Sequence, residues 1–101
     1  MVTVKDGTYR IELLHKTDED NSFHLEAQVR PSGELVLVGN DCGTLPLRCF
    51  GDDDYEYWRS VSAKDVPKVL LWLLKERFTS DVAFAAWCTE KGIHTGFFSY
   101  I

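Results

Sequence analysis

The sequence predicts an α+β fold, a mainly antiparallel sheet of four to five strands with two helices packed on one face. The expected order is β-β-β-β-α-α-β. Three observations predict it. Apolar and polar residues alternate with period 2 through much of the first 62 residues, the period lengthens to that of a helix from Val66, and the chain ends on an aromatic stretch, "IHTGFFSYI".

The elements follow in order. From Tyr9 to His15, Tyr9, Ile11 and Leu13 alternate with Arg10 and Glu12, the pattern of a half-buried strand. After the turn-forming "KTDEDNS", "FHLEAQVR" sets Phe23, Leu25, Ala27 and Val29 on one face against His24, Glu26, Gln28 and Arg30. Pro31-Ser32-Gly33 then predicts a hairpin turn into "ELVLVG", where Leu35 to Val38 offer apolar side chains to both faces, as a central strand does. Residues 39–54 hold three of the seven glycines with no sustained period, which predicts a long loop carrying a short strand around Leu45 to Phe50. A fourth strand alternates Tyr55, Tyr57, Arg59 and Val61 with Glu56, Trp58, Ser60 and Ser62.

Ser62 or Asp65 can cap the first helix, whose first turn tolerates Pro67 and whose apolar positions are Val66, Val69, Leu70, Leu73 and Leu74. Lys75 and Arg77 suit its C-terminal dipole. Thr79-Ser80-Asp81 opens a second helix with the stripe Val82, Ala85, Ala86 and Cys88, and Gly92 stands at its expected left-handed stop. The aromatic and β-branched end from Ile93 favours a return to the sheet as a fifth strand.

One domain is expected over residues 1–101, a length that buries roughly 60 to 70% of the unfolded surface without disulfides or a structural metal. The opening "MVTVKDGTYR" lacks a basic region followed by an apolar run, so no signal peptide is expected. The run Val69 to Leu74 is far shorter than the roughly 20 residues of a membrane span. Cys42, Cys49 and Cys88 are odd in number and unpaired in spacing, which points to a reducing compartment, the cytoplasm. Sixteen acidic residues against eleven basic ones give a formal charge of −5, with the basic ones scattered singly. Nucleic acid and membrane are therefore not expected as partners, and a basic protein is.

No motif for cofactor or metal chemistry stands out. Asp52, Asp54 and Glu56 lack the ligand spacing of a calcium loop. Cys42, Cys49, Cys88, His15, His24 and His94 include no close ligand pair that would mark zinc. "GNDCG" has neither the lysine nor the strand-to-helix setting of a phosphate loop, although Cys42 within it is the least implausible nucleophile. The expectation is no cofactor, no metal and no catalytic residue. The stretch Asp52, Asp53, Asp54, Tyr55, Glu56, Tyr57 and Trp58 combines carboxylates with aromatic anchors, the chemistry of a protein-docking edge. Since Tyr55 and Tyr57 face opposite to Trp58, one helical layer cannot cover both sets.

"GDDDYEYWRSVSAKDVPKVLLWLL", followed by "WCTEKGI" and "FFSY", resembles small bacterial α+β proteins that share an acidic turn, Tyr-Glu-Tyr, a leucine-rich helix and Gly-Ile into a final aromatic strand. The resemblance covers mainly residues 51 to 100 and implies no activity. The leading expectation is a non-enzymatic binding module that occupies a basic surface of a partner, as immunity-type inhibitors do. Two rival readings are a small-ligand binder or enzyme with a pocket near residues 39–54, and a structural homo-oligomer paired through strand edges.

Overall fold

The computed structural model describes residues 1–43 and 54–100. Their chain contacts divide into two compact units, Met1–Pro67 and Lys68–Ile101.

The first unit is a five-stranded antiparallel sheet of β1 (Thr3–Lys5), β2 (Thr8–Thr17), β3 (Asn21–Val29), β4 (Leu35–Gly43) and β5 (Asp54–Val61), in spatial order β1-β2-β3-β4-β5. With the two helices described below, this is an α+β protein. Its order departs from the expected one in that all five strands precede the helices. The additional strand is β1. Asp6 and Gly7 take positive φ values of 52° and 77°, which closes a two-residue hairpin whose twist matches the flanking strands. Glycine meets that geometry without a Cβ clash.

The hairpin at Pro31-Ser32-Gly33 forms as expected, with Gly33 N–H donating to the Arg30 carbonyl at 2.8 Å and Arg30 N–H to the Glu34 carbonyl at 2.9 Å. The β2–β3 turn is held by Asp18, whose Oδ1 accepts from the backbone N–H of Asp20 at 3.0 Å and of Asn21 at 2.8 Å.

Register sorts the side chains because directly paired residues share a face. One face gathers Tyr9, Ile11, Leu14, Phe23, Leu25, Ala27, Val29, Leu35, Leu37, Tyr55, Tyr57 and Val61. In β2 the expected alternation through Leu13 breaks. The register shifts between Glu12 and Leu14, so Leu14 and not Leu13 stands opposite Leu25. One extra residue in one strand re-aims everything beyond it. The opposite face carries Arg10, Glu12, His15, His24, Glu26, Gln28, Asn40, Cys42, Asp54, Glu56 and Trp58, together with Val36 and Val38 of β4. Val36, flanked by Gln28 and Ser60, is 2% exposed.

β4 runs on to Gly43, so residues 39–43 are strand and not the start of a loop. Gly39 and Asn40 read as breakers in isolation, yet the ladder to β5 continues through Cys42↔Asp54. The short strand expected around Leu45 to Phe50 lies outside the described residues.

α1 (Val66–Arg77), most of which belongs to the second unit, begins beyond a turn in which Ser62 Oγ donates to Asp65 Oδ2 at 3.3 Å. Val66, Val69 and Leu74 of its expected stripe are half-buried, whereas Leu70 and Leu73 are exposed. α2 (Asp81–Glu90) is capped by Ser80, whose Oγ accepts from Ala83 N–H at 3.2 Å. It ends as expected at Gly92: Gly92 N–H donates to the Thr89 carbonyl and Ile93 N–H to that of Cys88, a Schellman pair. The inward side of α2 differs from the expected stripe. Val82 and Ala86 are exposed, while Phe84 and Trp87 meet Phe78 at ring-centroid distances of 5.4 and 5.6 Å, and Cys88 is buried. Three aromatic rings bury more area than alanines at neighbouring positions, so they set which side turns in.

The expected final strand is absent. Residues 93–100 carry no strand, and Phe97, Phe98 and Tyr100 are exposed. Aromatic content favours extended structure only where a neighbouring strand supplies hydrogen bonds and a surface to pack on.

A candidate protein-docking edge

Among the described residues β5 is the terminal strand of the sheet, and its alternation separates the residues singled out in sequence into two sets. Asp54, Glu56 and Trp58 share one face, and their register partners on β4 are Cys42, Asn40 and Val38. Tyr55 and Tyr57 share the other, opposite Asp41 and Gly39. Asp52 and Asp53 lie outside the described residues.

The tyrosines are structural in their setting. Both are half-buried, with ring centroids 5.5 Å apart, and Tyr57 lies over Gly39 so closely that a Cβ there would fall within its ring. The Gly39 position lends its missing side-chain volume to the aromatic ring opposite, which lets a glycine persist inside a strand.

The other set is presented outward. Asp54 and Glu56 are exposed, and Trp58 is 60% exposed beside Val38. Asp54 is held in place: Asn40 Nδ2 donates to its Oδ1 at 2.9 Å, and Cys42 Sγ lies 3.5 Å from the same oxygen. The thiol also donates to Asn40 Oδ1 at 2.9 Å. The β4 segment beneath therefore orients the first carboxylate of the edge. An exposed indole on the same face as its register partner Val38 resembles the anchors that dominate binding energy at interfaces.

On the same face, β2 and β3 bring His15 and His24 into register, with ring centroids 5.8 Å apart and His15 Nδ1 lying 3.6 Å from Glu12 Oε1. Among the described residues no group of three or more His, Cys, Asp or Glu side chains is placed to hold a metal ion. Cys42 lies in β4, half-buried, bordering a shallow depression formed with Asp18, Asn21, Ser22 and Gly43. Among the described residues no helix is long and apolar enough to cross a membrane.

Fold and edge together define an antiparallel α+β protein whose terminal strand carries carboxylates and an exposed indole on one face. Comparison with known proteins adds no relative: no family model fits the chain, and no curated protein or solved structure matches it.

Proposed function

We propose that this chain is a small, acidic, cytoplasmic protein-binding module that docks on a basic surface of a partner protein and blocks it, in the manner of an immunity-type inhibitor. The observation that carries the reading is the grouping of Glu56, Trp58 and Asp54 on the exposed face of the terminal strand. Trp58 supplies the apolar anchor and the carboxylates supply the charge. The overall charge of −5 favours encounter with a basic surface at long range.

The test is capture of partners from lysate of the native cells, followed by affinity measurement with the purified candidate. Trp58→Ala should weaken binding by about 2 kcal/mol, roughly thirtyfold, as expected of a central anchor. Asp54→Asn with Glu56→Gln should slow association and flatten its dependence on salt. Circular dichroism and melting should show each variant folded, since exposed substitutions stay within about 0.5 kcal/mol of wild type. A partner that binds all variants equally would show that the docking surface lies elsewhere.

A further inference from the structure

We infer that His15 and His24 chelate a zinc(II) ion between them, with Glu12 as the positioning residue of the His15 ring. The two histidines come from different strands, and the pairing of β2 with β3 sets them directly opposite each other. Side chains at such positions start from Cβ atoms about 4.5–5.5 Å apart and leave the sheet on the same side. Here the ring centroids lie 5.8 Å apart with an interplanar angle of 74°. Two imidazoles that share one zinc at Zn–N distances of about 2.0–2.1 Å hold their centroids roughly 5 Å apart, with no need for parallel planes. Small rotations of the two side chains therefore close the chelate without moving the backbone.

Glu12 is brought in by the bulge. Residues three apart in a regular strand point to opposite faces, but the register shift between Glu12 and Leu14 returns Glu12 and His15 to the same one. His15 Nδ1 then lies 3.6 Å from Glu12 Oε1. A carboxylate beside Nδ1 favours the tautomer with its proton there, which leaves the Nε2 lone pair for a metal, as in carboxylate–histidine–zinc sites. The carboxylate opposite Glu12, that of Glu26, is engaged elsewhere, accepting from Gln28 Nε2 at 2.7 Å and lying 4.0 Å from Arg10 Nε. Nitrogen ligands select the ion, since imidazole suits zinc whereas magnesium and calcium require sets of oxygens. Zinc also imposes no geometric preference of its own, so it accepts the angle that the two strands set. With two of its positions filled by protein and the rest left to water, binding is moderate and reversible. All three side chains belong to β2 and β3, and their arrangement follows from the pairing of those strands alone.

The test titrates zinc chloride into the full wild-type chain, labelled with nitrogen-15, with magnesium chloride as the control. The expected result is a single saturable event in which the ring signals of His15 and His24 move together, Nε2 is the ligated nitrogen of His15, and magnesium has no effect. His15→Ala or His24→Ala should weaken zinc binding roughly a hundredfold and Glu12→Gln roughly tenfold, while His94→Ala and Cys42→Ser bind as wild type does. Excess zinc should raise the melting temperature of wild type but not of His15→Ala. His15 is exposed, so its replacement leaves the fold intact, and unchanged amide signals of β3 and β4 verify this. Binding that survives both histidine substitutions, binding that is lost in Cys42→Ser, or ligation through Nδ1 of His15 would each overturn the inference.

Discussion

Asp18 illustrates how much one exposed side chain can organise. The backbone N–H of Asp20, and after it that of Asn21, hold its carboxyl below the usual value of 3.8, against a small opposing effect of desolvation. A carboxylate whose value is depressed by folding adds stability that is complete above the ordinary value and is lost as pH falls through the depressed one. The melting-temperature gap between wild type and Asp18→Ala should thus be widest near neutral pH and close below pH 3.8, and its carboxyl carbon should titrate later than that of a model peptide. Constant separation down to acid pH would assign the effect to turn propensity alone. The contact of Tyr57 with Gly39 makes a second residue-level prediction. Gly39→Ala should cost roughly 1–3 kcal/mol in wild type by overpacking. It should cost much less in a Tyr57→Ala background, so chemical denaturation of the four proteins yields a coupling energy. The turn chemistry of residues 16–22 was legible from composition. The Gly39 contact was not, because a glycine in a strand has meaning only once the residue opposite it is known.

Among the elements, legibility followed how far each signal reaches along the chain. Alternation in β3 and β5 is a property of consecutive residues, and both strands fall where their patterns place them. The Ser80 cap and the Gly92 stop are equally local. β1 was legible too, since Asp6-Gly7 between "TVK" and "TYR" is a strong short-range hairpin signal that the alternation from Tyr9 overshadowed. The bulge in β2 had no such mark, because the choice between Leu13 and Leu14 depends on register with β3. The final aromatic segment failed for the same reason in reverse, having propensity but no partner strand. β4 combines both kinds of information. Its double-sided apolar run Leu35 to Val38 indicated a strand inside a sheet, and Val36 is the residue most completely buried there. Val36→Ala should lower stability by about 2 kcal/mol, whereas the same change at exposed Val4 should be nearly neutral. Equal small effects in urea unfolding would mean that the Val36 site collapses around the smaller side chain.

For the whole molecule, the decisive quantity is charge, and it gathers on the terminal strand of the described sheet. A sheet with a long terminal strand is a template for association, and proteins guard such strands with charged side chains. Here the guard is acidic: Asp54 and Glu56 on β5, within a chain of formal charge −5 at pH 7 and a pI near 5.0. The docking surface of the candidate edge was legible in the sequence as composition, carboxylates mixed with Tyr and Trp, but its division into a structural tyrosine side and an outward Trp58 side needed the register against Gly39 and Val38. The same carboxylates that would attract a basic surface should repel a second copy, and that repulsion must fade as the net charge approaches zero. Light scattering at pH 7.5 should therefore report a mass near 11.6 kDa, with growing association as pH is lowered towards 5.0. Replacing Glu56 by Lys should place a cation within the acidic edge and let two copies pair, raising the mass already at pH 7.5. If Glu56→Lys stays monomeric while wild type still associates near pH 5.0, the contact that forms at low charge lies away from β5, and the acidic edge is not what keeps this chain from pairing with itself.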